Sequence, residues 1–139
     1  MINRLYKVMD YLVSAFPSLR KLETIGDAFV VVGITDTYDE ETVFSDIVEF
    51  SLLVKEIVQL VPMDEDSNVR LRIGLHCGKV VGGLSGYLNP RFCIFGDAMN
   101  TAARMEATGE VIHKILNHCH IYELTSYTRL IKYMLVLIL

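Results

Sequence analysis

The chain has no tryptophan, only three prolines and only three cysteines among its 139 residues. Cys77, Cys93 and Cys119 are odd in number and form no C-x-x-C pair. That excludes a disulfide-built scaffold and predicts reduced thiols in a cytoplasmic setting. There is no excess of basic residues either: the net charge is −4. This excludes a general nucleic-acid surface, which is normally basic, but leaves room for one phosphorylated ligand held by a few local cations. No apolar run approaches the roughly twenty residues that a membrane helix needs; the apolar segment IKYMLVLIL at 131–139 is too short. The N-terminal MINRLYKVMDYLV mixes charges through its apolar positions, so no signal peptide is expected. Any membrane attachment is therefore expected through regions outside these residues. The two common nucleotide-binding loops, G-x-G-x-x-G opening a helix and G-x-x-x-x-G-K-[ST], do not occur.

What is present is an apolar chain, 52% hydrophobic, long enough for one domain with a core. Leu5, Val8, Met9, Leu12 and Phe16 recur at helical spacing and predict a helix over 2–16, ended by Pro17. Two strand-like runs follow, 19–24 and 28–34, joined by the turn Ile25-Gly26-Asp27-Ala28. The second run is nearly all apolar, as in a strand covered on both faces. Residues 39–61 read as a long helix, with Val43, Ile47, Phe50, Val54 and Val58 on one stripe. A polar loop precedes a strand at 69–76, with Leu71, Ile73 and Leu75 on one face and Arg72 and His76 on the other. A glycine-rich stretch, a short strand at 91–95 and a helix from Gly96-Asp97 to Thr108 complete the pattern. Helices interleaved with a mostly antiparallel sheet predict an α/β fold of the ferredoxin-like sandwich type.

Several polar residues stand where chemistry is possible. Asp27, at a hairpin tip, presents one carboxylate on a rigid ribbon; Mg²⁺ favours one or two carboxylates plus substrate phosphates. A turn aspartate chosen for its backbone preference is the alternative. Asn100 and Arg104 are four apart on a helix and face the same way. Arginine offers a fork of donors suited to phosphate, and asparagine a neutral partner for a sugar; a solvated polar face is the competing reading. Glu23 follows Lys21 by two on one strand face and is able to accept from paired N–H donors, or is an exposed charge. Arg72 is a candidate phosphate ligand or a surface ion-pair residue. His113, His118, Cys119 and His120 cluster in the tail, but their spacing matches no known zinc site.

Three segments in this order, KLETIGDAFVVVGI (21–34), VRLRIGLHCGKVVGG (69–83) and NPRFCIFGDAMNTAARMEATGE (89–110), make the chain resemble the catalytic domain of class III nucleotidyl cyclases of the guanylate cyclase type. The resemblance covers about residues 3–112 and implies a partial cyclase domain over 1–112 with a divergent apolar tail at 113–139. It implies conversion of GTP to cyclic GMP and pyrophosphate, by attack of the 3′-hydroxyl on the α-phosphate with two ions, Mg²⁺ or Mn²⁺. Asp27 matches one of the family's two metal aspartates. Glu23 and Cys93 match the pair that reads guanine, where adenylate cyclases typically carry Lys and Asp. Asn100 matches the residue that orients the ribose, Arg104 the one that stabilises charge on the transferring phosphate, and Arg72 an arginine that holds the terminal phosphates. The family's sites form between two catalytic domains arranged head to tail, so a second cyclase domain is the implied partner.

The chain departs from the pattern in two places. The family's other metal aspartate lies on a strand ahead of the hairpin, in a segment like F-S-D-I-V-G-F-T, and no such strand precedes residue 19 here. Phe44–Ser51, FSDIVEFS, looks similar but falls inside the helical pattern of 39–61, so Asp46 is expected to be an exposed helix residue. An unpaired sheet edge and weak or absent activity of this chain alone are the expected consequences. Beyond Val111 the sequence leaves the family's pattern. Two other readings remain open: a catalytically inactive cyclase-homology module that dimerises and regulates a partner, and an adenylate cyclase.

Overall fold

The structure, a computed structural model, describes residues 2–33, 35–60, 71–108 and 133–138. Along the chain they form α1 (Ile2–Ser14), β1 (Leu19–Ile25), β2 (Ala28–Gly33), α2 (Glu40–Leu60), β3 (Arg72–Cys77), β4 (Val81–Ser85), β5 (Arg91–Phe95), α3 (Asp97–Thr108) and β6 (Tyr133–Ile138). Up to Thr108 the element types match those read from the sequence, with β4 added inside the glycine-rich stretch. The boundaries move by one to three residues. Asp39 is the N-cap of α2 and not its first residue: its carboxylate accepts from the Thr42 amide at 2.9 Å and from the Thr42 hydroxyl at 2.7 Å.

Four strands form one sheet in the order β1-β2-β6-β3, and β4 and β5 form a separate two-stranded ribbon. β6 is antiparallel to both β2 and β3, which makes those two strands parallel to each other. β2, α2 and β3 are thus a split βαβ unit with β6 in the split, as in ferredoxin-like folds. The unpaired edge expected from the sequence is absent at this place. The apolar run YMLVLI supplies the backbone donors and acceptors that β2 and β3 would otherwise leave open along their facing edges. The free edges of the sheet are β1 and β3.

Period-two alternation sorts β2 onto both faces of the sheet. Phe29 and Val31 belong to the larger core with Leu5, Met9 and Val13 of α1 and Ile47, Phe50, Val54 and Val58 of α2. Ile73 and Leu75 of β3 pack against that same core. Val30 and Val32 face the other way, onto Ala102 and Ala98 of α3, with Val80 and Ile94 beside them. The four residues Phe29 to Val32 are at most 2% exposed, so a strand buried on both faces is what the apolar run encodes. Asp46 accepts from the buried Ser18 hydroxyl at 2.5 Å and ties α2 to the entry of β1. The FSDIVEFS segment is therefore helical and half-buried at Asp46, on the α1–α2 side of the sheet.

Candidate functional site

The hairpin between β1 and β2 closes with only Gly26 and Asp27. Gly26 has φ of 62°, with open space where a Cβ would stand, so the glycine answers a conformational need and not a packing one. Asp27 is exposed at the tip. The tip is held from α1: the Tyr6 hydroxyl donates to the Gly26 carbonyl at 3.0 Å, and the Tyr6 ring stacks on Phe29 with centroids 6.0 Å apart. Burial, and then the charge of Asp27, raise the Tyr6 hydroxyl above its ordinary pKa. Sequence reasoning missed Tyr6, because it stands beside the apolar stripe of α1 and carries no motif.

Glu23 reaches its position through a β-bulge. Lys21 pairs with Val31, but Glu23 pairs with Val30, so the register shifts between them. Directly opposed residues share a face. Lys21 therefore lies on the α1–α2 face, where its ammonium meets Asp10 at 2.5 Å and sits 4.7 Å from the Phe29 ring centroid. Glu23 lies on the α3 face with Val30. The two do not share a face as their spacing in sequence suggested. The extra residue, Leu22, packs towards α3 and the β4–β5 ribbon.

Arg72 opens β3 and is paired inside the chain. Its Nε lies 2.5 Å from Oε1 of Glu106 on α3, whose side chain is 3% exposed while that of Arg72 is 43% exposed. That Oε1 has no aligned hydrogen-bond donor among the described residues, so the contact is one of charge. Gly74, two residues along the same strand face, is what lets α3 come so close. A Cβ there would stand 2.2 Å from the Ala102 carbonyl oxygen and 2.9 Å from the Glu106 Cβ. Arg72 is also brought near the hairpin. Ala28 and Arg72 are both register partners of Ile138 on β6. Two strand spacings, about 10 Å, therefore separate the residue after Asp27 from Arg72.

Asn100 and Arg104 are both exposed on α3, one turn apart. Cys93 lies on β5, half-buried opposite Gly83 in the separate ribbon. His76, on β3, has its pKa lowered by burial, an effect that the charge of Asp97 partly offsets. The fold thus groups the predicted residues by element: Asp27 and Arg72 across β6, Glu23 on the α3 face of the sheet, Asn100 and Arg104 on α3. Among the described residues no group of three or more His, Cys, Asp or Glu gathers around a common point. One exposed carboxylate beside a candidate phosphate ligand fits one Mg²⁺ or Mn²⁺ ion with few protein ligands; it does not by itself fit a pair of ions. The histidines of the tail, with Cys119, lie outside the described residues, as does the divergence after Val111. No helix among the described residues is long and apolar enough to cross a membrane.

The chain is 39% identical over 114 residues to the atrial natriuretic peptide receptor 2 of Anguilla japonica, an alignment covering 81% of this chain and 11% of that protein. It spans about a tenth of the length of the curated relatives it matches, with 8–11% covered. Among solved structures, the guanylate cyclase domain of RhGC from Catenaria anguillulae, in complex with GTP, superposes with a TM-score of 0.71 at 27% identity, covering 99% of this chain and 80% of that one. The dimeric guanylyl cyclase domain of the RhoGC fusion protein from Blastocladiella emersonii gives 0.68 at 32% identity, covering 79% and 60%. The family model for the adenylate and guanylate cyclase catalytic domain matches residues 1–127. With sequence, split βαβ core and hairpin all in agreement, the chain belongs to the adenylate and guanylate cyclase catalytic domain family.

Proposed function

We propose that this chain is the core of a guanylate cyclase catalytic domain, occupying 1–112, with 113–139 a divergent tail whose last strand is recruited into the sheet. The observation that carries the reading is the placement of the Asp27 tip and Arg72 on either side of one strand. A metal-binding carboxylate and a phosphate-binding guanidinium at that separation suit the two ends of one triphosphate. Asp27 would hold a divalent ion, Mg²⁺ or Mn²⁺, which when bound supplies charge neutralisation on the phosphates. Arg72 would hold the terminal phosphates, Asn100 the ribose, and Arg104 the negative charge that grows on the α-phosphate as the 3′-oxygen attacks and pyrophosphate leaves. Glu23 and Cys93 would read guanine, the carboxylate accepting from its paired N–H donors.

A second copy of such a domain, head to tail, would bring the metal half of one chain to the base-reading half of the other. What supports this is the β4–β5 ribbon. Val81, Leu84, Tyr87, Leu88, Phe92 and Phe95 are 49–98% exposed, far more apolar surface than a lone ribbon normally leaves in water. The similar domain from Blastocladiella emersonii is itself described as a non-canonical dimer, which supports pairing of such domains and not the head-to-tail arrangement. A cytoplasmic location follows from the substrate, whether or not a longer parent is anchored in a membrane.

One observation favours a second reading, a dimerising module without catalysis: among the described residues no group of three or more His, Cys, Asp or Glu gathers into a metal site around Asp27. The test is nucleotide conversion and binding by the purified chain with Mn²⁺. Weak or undetectable cyclic GMP formation with measurable, GTP-preferring binding is expected. The pair Glu23→Lys and Cys93→Asp is expected to move the preference towards ATP; an unchanged preference rejects the guanine assignment.

A further inference from the structure

The Arg72–Glu106 pair carries an inference that rests on the reading of Arg72 as a phosphate ligand and deepens it. Glu106 is a nearly fully buried carboxylate in a helix that otherwise buries alanines on this face. A buried charge is retained at a cost of desolvation, and a pair of this kind is weak evidence for stability. Its geometry points elsewhere. Oε1 of Glu106 lies 2.5 Å from Nε, on the inner edge of the guanidinium, as a charge contact without an aligned hydrogen bond. The outer edge, with its two terminal amino groups, is left without a partner among the described residues, and the side chain remains 43% exposed. An arginine held by charge on its Nε side keeps its parallel terminal donors for a second, bidentate acceptor such as phosphate.

The approach that makes this grip possible is built into the fold. Gly74 shares a strand face with Arg72, and its lack of a Cβ lets the Ala102–Glu106 turn of α3 lie against β3. The same helix carries Asn100 and Arg104 on its exposed side. Glu106 therefore fixes Arg72 relative to α3 as well as fixing the side chain itself.

We propose that Glu106 is a positioning residue for Arg72: it holds the guanidinium by its Nε edge so that the terminal amino groups face the pyrophosphate part of a nucleoside triphosphate. A free arginine side chain loses substantial rotamer entropy on gripping a ligand. Glu106 removes much of that loss in advance, and it outweighs the partial neutralisation of the positive charge.

Two measurements on the full chain test this separately from the phosphate reading. The first is ¹⁵N relaxation at the Arg72 Nε–H, with no ligand. Glu106→Gln, nearly isosteric, is expected to lower its order parameter clearly and shift its resonance; an Arg72 signal unchanged by the substitution overturns the proposal. The second is titration with inorganic pyrophosphate across the cycle Glu106→Gln, Arg72→Lys and the double variant, each checked for folding by circular dichroism. Arg72→Lys keeps a charge beside Glu106, which guards against loss of the fold. Glu106→Gln is expected to weaken binding about 5- to 20-fold, equivalent to about 1–2 kcal/mol, and to have little further effect once Arg72 is lysine. Equal effects in both backgrounds, or tighter binding by Glu106→Gln, overturn the positioning role. Loss of Arg72 order in Glu106→Gln with no pyrophosphate binding by the unmodified chain overturns the phosphate reading instead.

Discussion

Single residues in this chain do work that their type alone does not announce. His76 is the clearest case for pH. Burial holds its folded pKa below the ordinary 6.5. The unfolded chain therefore binds its proton first as the pH falls, and stability rises with pH in that window. The chain is expected to lose stability as pH falls below about 6.5 and to level off once the folded histidine also titrates. His76→Gln removes that part of the slope, as urea unfolding at several pH values would show. Gly74 is a second case. Any side chain there pushes α3 off β3, since the nearest obstacle is the Ala102 backbone and not a flexible side chain. Gly74→Ala is expected to cost about 1–3 kcal/mol, read as a lower thermal midpoint, and to disturb the Arg72 signals. The positions of Asp27, Asn100 and Arg104 were legible because a two-residue turn and an i,i+4 spacing are local properties. The face of Glu23 was not: a bulge depends on how the opposite strand pairs, and alternation counted along one strand cannot reveal it. Glu106 was hidden for the same reason, since nothing near it in sequence says which strand its helix will cover.

At the scale of elements, periodicity identified the three helices and the strands of the hairpin and of β3, because each buries a regular stripe or face, whereas β4 lay inside a glycine-rich stretch that buries little. The order of strands was only partly legible. A split βαβ unit needs something in its split, and here the occupant lies far along the chain, in a run too apolar and too short to declare its partner. β6 is an inner strand of the larger sheet, with neighbours on both sides. Its backbone should therefore be intolerant of proline, which has no N–H to give. Val136, opposed by Val30 on one side and Gly74 on the other, is the central position. Val136→Pro is expected to disrupt the four-stranded sheet while the same substitution at the exposed ribbon position Leu84 leaves it intact. Amide exchange on β2 and β3 would register the difference; equal protection in both variants would show that β6 does not join them.

Seen whole, the molecule is lopsided. Two helices cover one face of the sheet, while the other is shared between α3 and a ribbon that buries only Ile94 well. The apolar side chains that the ribbon leaves outside need a partner, and a second copy is the economical one. Leu84→Glu with Tyr87→Ser is expected to shift the chain from dimer to monomer in sedimentation experiments at micromolar concentration, with the far-ultraviolet spectrum unchanged. A dimer that survives both substitutions would place the interface elsewhere. The position of β6 has a further consequence, for the order of events in time. The strand that stands between β2 and β3 leaves the ribosome long after both of them. Until it arrives, two strands carry open edges, and the contacts that close them span most of the length from the first hairpin. Such non-local pairing makes for slow closure and a long interval in which those edges can recruit other chains. A nascent chain of this protein therefore depends, until β6 emerges, on being kept from its neighbours.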